Sequence, residues 1–141
     1  MSGGTAVAVA ITFVWLGMVA GIAFIESPLK FRAPNVTLQI GLGIGRLVFR
    51  ALNTVEGIFA GVLVVLVIVT PPATPIMVAF AVAMTMLLLQ LAAVRPRLNK
   101  RSDQVLAGYE GPRSHAHYVY VGLELIKLTA LLIAGSLLLA G

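Results

Sequence analysis

The chain has 141 residues, 60% of them hydrophobic and only 11% charged, and its mean hydropathy of +1.03 excludes a water-soluble globular domain of ordinary balance. It carries a formal net charge of +5 and no cysteine, which excludes disulfides, thiolate metal sites and thiol catalysis. Its basic residues lie beside apolar runs without interleaved exposed aromatics, so the expected partners are membrane lipids with anionic headgroups, with no nucleic acid.

The first apolar run predicts a span over about residues 6–26, close to the length needed for a ~30 Å hydrocarbon core. Met1 to Thr5 contain no Lys or Arg, so the basic leader of a signal peptide is missing and the span is expected to be uncleaved, with its N-terminus outside. Leu38 to Gly45 follows, with apolar residues alternating with Gly or Gln. That period of two suits an extended segment, and three glycines disfavour a helix by roughly 1 kcal/mol each relative to Ala. Residues 34–46 are therefore expected to form an interfacial or partly re-entrant connector, with the next helix starting near Arg46. Gly41, Gly43 and Gly45 beside Arg46 and Arg50 are candidates for an anion or headgroup nest, against the plainer reading of a flexible connector. The GxGxG spacing does not meet the dinucleotide fingerprint.

The second span is predicted over about 47–70 and ends at the proline-rich turn Thr70 to Pro75. The third covers about 75–94 and the fourth about 116–140. Nine of the ten Lys and Arg residues lie in the two connections on one side: Lys30, Arg32, Arg46 and Arg50, then Arg95, Arg97, Lys100, Arg101 and Arg113. The positive-inside rule makes that side cytoplasmic and places both termini outside. The expected fold class is all-α: a single-domain polytopic membrane protein built as a bundle of four transmembrane helices. Gly17 with Gly21, Gly41 with Gly45, and Gly57 with Gly61 add small-residue pairs suited to close helix approach within a tight bundle or against a partner, so a homo-oligomer or a larger membrane complex is expected.

Polar groups inside the spans carry what the sequence says of function. Three of the five acidic residues, Glu26, Glu56 and Glu124, lie within or at the edge of apolar runs, where an unpaired carboxylate is expensive. His117, Tyr120, Glu124 and Lys127 share one stripe of the fourth helix, and Asn53 and Glu56 stand three residues apart on the second. With Gln90 near the end of the third span, the topology brings Glu26, Asn53, Glu56, Gln90, His117, Tyr120, Glu124 and Lys127 to similar depth in the cytoplasmic half. The cluster reads either as a register-fixing ion network or as a site for a proton, cation, small solute or lipid headgroup, while Glu26 can simply snorkel to the interface. No Glu-x-x-His motif is present, which argues against a di-iron site. A looser metal site from His117, Glu124 and Glu56, or haem ligation by His115 or His117, rests on isolated residues, and no cofactor is expected. Ser114 reads as a helix N-cap. No catalytic constellation emerges, so the chain is expected to bind or transport. The alternatives are a non-catalytic accessory or scaffold subunit, and a membrane enzyme acting on a lipid-soluble substrate through a carboxylate–His site.

The stretch Arg95-Pro96-Arg97-Leu98-Asn99 after the third span, with His117 heading the fourth, resembles a family of small four-span bacterial membrane proteins of unknown function. That family has a eukaryotic relative implicated in tolerance to platinum drugs. The resemblance implies the four-span layout and a bacterial inner membrane; the Gly-rich stretch and Glu26 to Phe31 do not map onto it.

Overall fold

The computed structural model describes residues 1–108 and 115–141, with side chains throughout except at 115 and 116. Arg113, the Ser114 cap and the His115 side chain, all weighed from sequence, lie outside the described residues. Four long helices result: α1 (Gly3–Arg32), α2 (Leu38–Val69), α3 (Thr74–Leu106) and α4 (His115–Ala140). All four are long and apolar enough to cross a membrane. Residues such as Leu47, Ile68 and Val69 are largely exposed, as expected of helices whose outer faces meet lipid rather than water.

Two helices run further than expected, and prolines explain how. The predicted ends at 26 and 94 follow the limits of the apolar runs, and Pro28 and Pro96 stand just beyond them, where a helix would ordinarily stop. Instead α1 passes through a π-helical stretch, Ala20–Glu26, and α3 through another, Gln90–Val94. Each wide stretch ends two residues before its proline. The register shift is seen in Ser27 N–H donating to Ile22 O and Arg95 N–H donating to Gln90 O. It makes room for a ring that would crowd the carbonyl four residues back. The segment from Arg95 to Leu106, read as a basic loop, is thus the helical extension of α3.

The expected connector over 34–46 is also largely helical. Thr37 accepts from Ile40 N–H at 3.2 Å and caps α2, which begins at Leu38. The cost of three glycines is offset by contact, because α2 starts against the end of α1. A Cβ at Gly41 would stand 2.1 Å from Phe31 Cε1, and one at Gly45 would stand 2.7 Å from Lys30 Nζ. The chain reverses between α1 and α2 through Asn35, at φ 66°, a conformation Asn tolerates better than most residues.

Thr70 to Ala73 turns the chain at the opposite end, so the ends of α1 and α3 and the starts of α2 and α4 share one end, referred to below as the basic end. α4 packs on both α3 and α1, and α2 lies against α1 and the extension of α3. The core between them contains Trp15, Val19, Leu52, Leu63, Ala83, Leu131 and Ala134. Arg46 of α2 and Asp103 of the α3 extension pair at 2.5 Å. The pairs Gly17/Gly21 and Gly57/Gly61 do not mediate packing within the chain: a Cβ at any of the four would meet nothing within 4 Å.

Candidate functional site

Every helix contributes a side chain to one buried polar network. Glu56 of α2, Gln90 of α3, and Glu124 and Lys127 of α4 are almost completely shielded. Lys127 Nζ donates to Glu56 Oε1 and, at 2.8 Å, to Gln90 Oε1. It also lies 2.5 Å from Glu124 Oε1 as an ion pair. Trp15 of α1 donates from Nε1 to the same Glu56 oxygen at 2.9 Å, and Gln90 Nε2 donates to the Tyr120 carbonyl at 3.3 Å.

Helix periodicity builds this arrangement. Tyr120, Glu124 and Lys127, at steps of four and three, form one inward stripe of α4. At 1.5 Å per residue, Glu56 lies about 20 Å from Val69 and Lys127 about 20 Å from Ala140, so the network is nearer the basic end of a ~30 Å apolar thickness. Two carboxylates face one ammonium, leaving one formal negative charge for a proton or a bound donor to balance.

Glu124 also lines a cavity of about 260 Å³ between the basic ends of the helices. Lys30, Arg46, Arg95 and Arg101 line it as well, alongside apolar residues such as Phe24, Phe31, Leu42 and Phe49. The Arg95 guanidinium is held by two rings, 4.6 Å from the Tyr120 centroid and 5.1 Å from that of Phe49. The rings themselves meet edge to face at 5.9 Å. Among the described residues, Arg95 Nε and Nη2, the hydroxyls of Ser27, Ser102 and Tyr120, and Glu124 Oε2 are buried with no hydrogen-bond partner. All of these residues line this same cavity.

The remaining candidates are placed elsewhere. Glu26 pairs with Lys30 at 3.8 Å on its own helix. Asn53 lines a second cavity of about 530 Å³ with Arg46, Arg50 and Arg95. His117 lines the first cavity, its ring edge-on to Tyr118 at 5.7 Å. The glycine nest does not form: Gly41 N–H donates to Thr37 O at 2.9 Å, and Gly43 and Gly45 lie inside the helix, where their N–H groups are already used. Among the described residues no three His, Asp or Glu side chains gather as a metal-binding group, so His117, Glu124 and Glu56 do not form a ligand set.

The sequence reading missed Trp15 and the role of Arg95. Trp15, the only tryptophan, lies in the middle of an apolar run rather than at its edge, where tryptophans of membrane helices collect. A buried indole N–H needs an acceptor, and that was the available signal. From sequence Arg95 reads as loop charge and as the start of the Arg95 to Asn99 stretch, although it is the first cation after an apolar run. Fold and site together define a four-helix bundle of membrane-spanning dimensions, with a charged core joined to a cation-lined cavity. No family model, curated protein or solved structure matches the chain.

Proposed function

We propose that the chain is an integral membrane protein of the bacterial inner membrane that binds a small polar solute or headgroup in the cavity at its basic end and exchanges a proton at Glu124 as it does so. The observation that carries this reading is the double position of Glu124, paired with Lys127 in the closed network and lining the cavity as well. A charge arriving in the cavity changes the balance of the network, because the same carboxylate belongs to both. Four basic side chains lining the cavity disfavour a cation as ligand. In this reading the basic end is cytoplasmic and both termini are outside.

Native mass spectrometry of the protein released from its membrane in mild detergent tests the proposal. Wild type is expected to carry a non-protein mass whose occupancy depends on pH, and Glu124→Gln to lose that pH dependence while remaining folded in detergent. A bare wild-type chain would refute binding, and an unchanged pH response in Glu124→Gln would refute the role of that carboxylate.

The accessory-subunit reading draws on a different observation, the open faces at Gly17/Gly21 and Gly57/Gly61. It predicts that Gly17→Leu or Gly57→Leu changes the assembled mass while the cavity ligand is retained.

A further inference from the structure

From the donors that line the cavity we infer that its ligand is a phosphate monoester, either as the headgroup of an anionic lipid or free in solution. The inference rests on the binding role proposed above and specifies its chemistry.

Unmet hydrogen bonds point to a ligand in this cavity. A buried donor without an acceptor is destabilising, and native chains leave few of them. Here Arg95 Nε and Nη2 and the hydroxyls of Ser27, Ser102 and Tyr120 are all in that condition, and these four residues line one cavity. Three different helices supply them, so no local backbone motif accounts for their meeting.

The donors select an anion, and their number selects its type. Nε and Nη2 are one edge of the guanidinium fork, the geometry that binds two oxygens of a single oxyanion. The Phe49 and Tyr120 rings restrict that fork before any ligand arrives. Five donors exceed the roughly four lone-pair positions of a carboxylate. A phosphodiester offers only two terminal oxygens, whereas a monoester offers three. Glu124 supplies the remaining complement. A monoester has a second pKa near 6, so one proton can lie between it and the Glu124 carboxylate, donated from either side.

The rest of the lining is apolar, with Phe24, Phe31, Leu42 and Phe49 prominent. At about 260 Å³ the cavity is smaller than the usual ~300–1,000 Å³ of a drug-sized site. It therefore accommodates a headgroup and the start of a tail, not a whole lipid.

Three probes separate the possibilities when titrated into the full chain in neutral detergent and followed by thermal shift: dioctanoyl phosphatidic acid, dioctanoyl phosphatidylglycerol and inorganic phosphate. The phosphatidic acid is expected to bind at least tenfold more tightly than the diester. Arg95→Gln and Ser102→Ala are each expected to remove most of that preference. The serine variant serves where loss of the arginine disturbs folding. Phosphate matching the lipid would confirm the monoester site and assign a soluble ligand; phosphate binding much more weakly would assign the lipid. Equal binding of monoester and diester would overturn the inference, as would a preference unaffected in both variants. A phosphorus-free mass retained by wild type would overturn it too, while leaving the broader binding role intact. A bare wild type would remove both.

Discussion

Lys127 Nζ meets Glu56, Gln90 and Glu124 together, so the three acceptors are not equivalent to their shared donor when mutated. Glu124→Gln leaves Lys127 paired with Glu56, and Glu56→Gln leaves it paired with Glu124. Lys127→Met leaves two buried carboxylates without a cation, and breaking a buried pair in this way is destabilising by about 3–5 kcal/mol. Lys127→Met is therefore expected to show a large drop in thermal midpoint in detergent, with either glutamine variant falling much less. A Lys127→Met protein as stable as Glu124→Gln would mean that the ammonium does not hold the network together. Trp15→Phe removes the Nε1 bond to Glu56 and is expected to fall between these extremes, since a hydrogen bond to a charged group contributes about 1.5–3 kcal/mol.

At the scale of elements, the start of α2 shows glycines with different roles in one short stretch. A Cβ at Gly41 runs into the Phe31 ring, whereas one at Gly43 meets nothing within 4 Å. Gly43→Ala should gain helix propensity of about 1 kcal/mol and raise the thermal midpoint. Gly41→Ala makes the same gain but overpacks the α1–α2 contact, a cost of about 1–3 kcal/mol. It is expected to melt below Gly43→Ala and to weaken ligand binding, because Phe31 lines the cavity. Equal midpoints would show that the contact is not tight. This stretch also marks how far the sequence could be read. The four apolar runs, the turn at Thr70 to Ala73 and the inward stripe of Tyr120, Glu124 and Lys127 follow from hydropathy and helical spacing. Whether Gly41 and Gly45 break a helix or seat a neighbour depends on Phe31 and Lys30 crossing them, a tertiary fact that no local propensity contains. The prolines are the same kind of case: Pro28 and Pro96 stand just past the apolar runs, where local rules would end a helix, and π-helical stretches carry the helix past them. Within the site, the helix-to-helix partners were legible by topology, but Trp15 rather than Glu26 is what α1 contributes.

For the whole molecule, the proposed orientation rests on charge distribution, and it decides which leaflet the cavity faces. Among the described residues the basic end carries every Lys and Arg except Lys127, while Thr70 to Ala73 and both terminal segments carry none. Moving a Lys or Arg through the centre of the bilayer costs about 2.5–3.5 kcal/mol even on the mildest scale, so the proposed orientation is the one with the basic end retained in the cytoplasm. The absence of cysteine makes this directly measurable with single-cysteine variants. In intact cells a membrane-impermeant maleimide is expected to label Ser2→Cys and Thr70→Cys, and to label Lys100→Cys only after permeabilisation. Labelling of Lys100→Cys in intact cells would invert the molecule and move the cavity to the outer leaflet. With the expected pattern, the fork of Arg95 and the carboxylate of Glu124 face the leaflet rich in anionic lipid. The ligand then reaches Glu124 from the cytoplasmic side, and the apolar ends of the helices, about 20 Å beyond Glu56 and Lys127, separate the charged network from the opposite face.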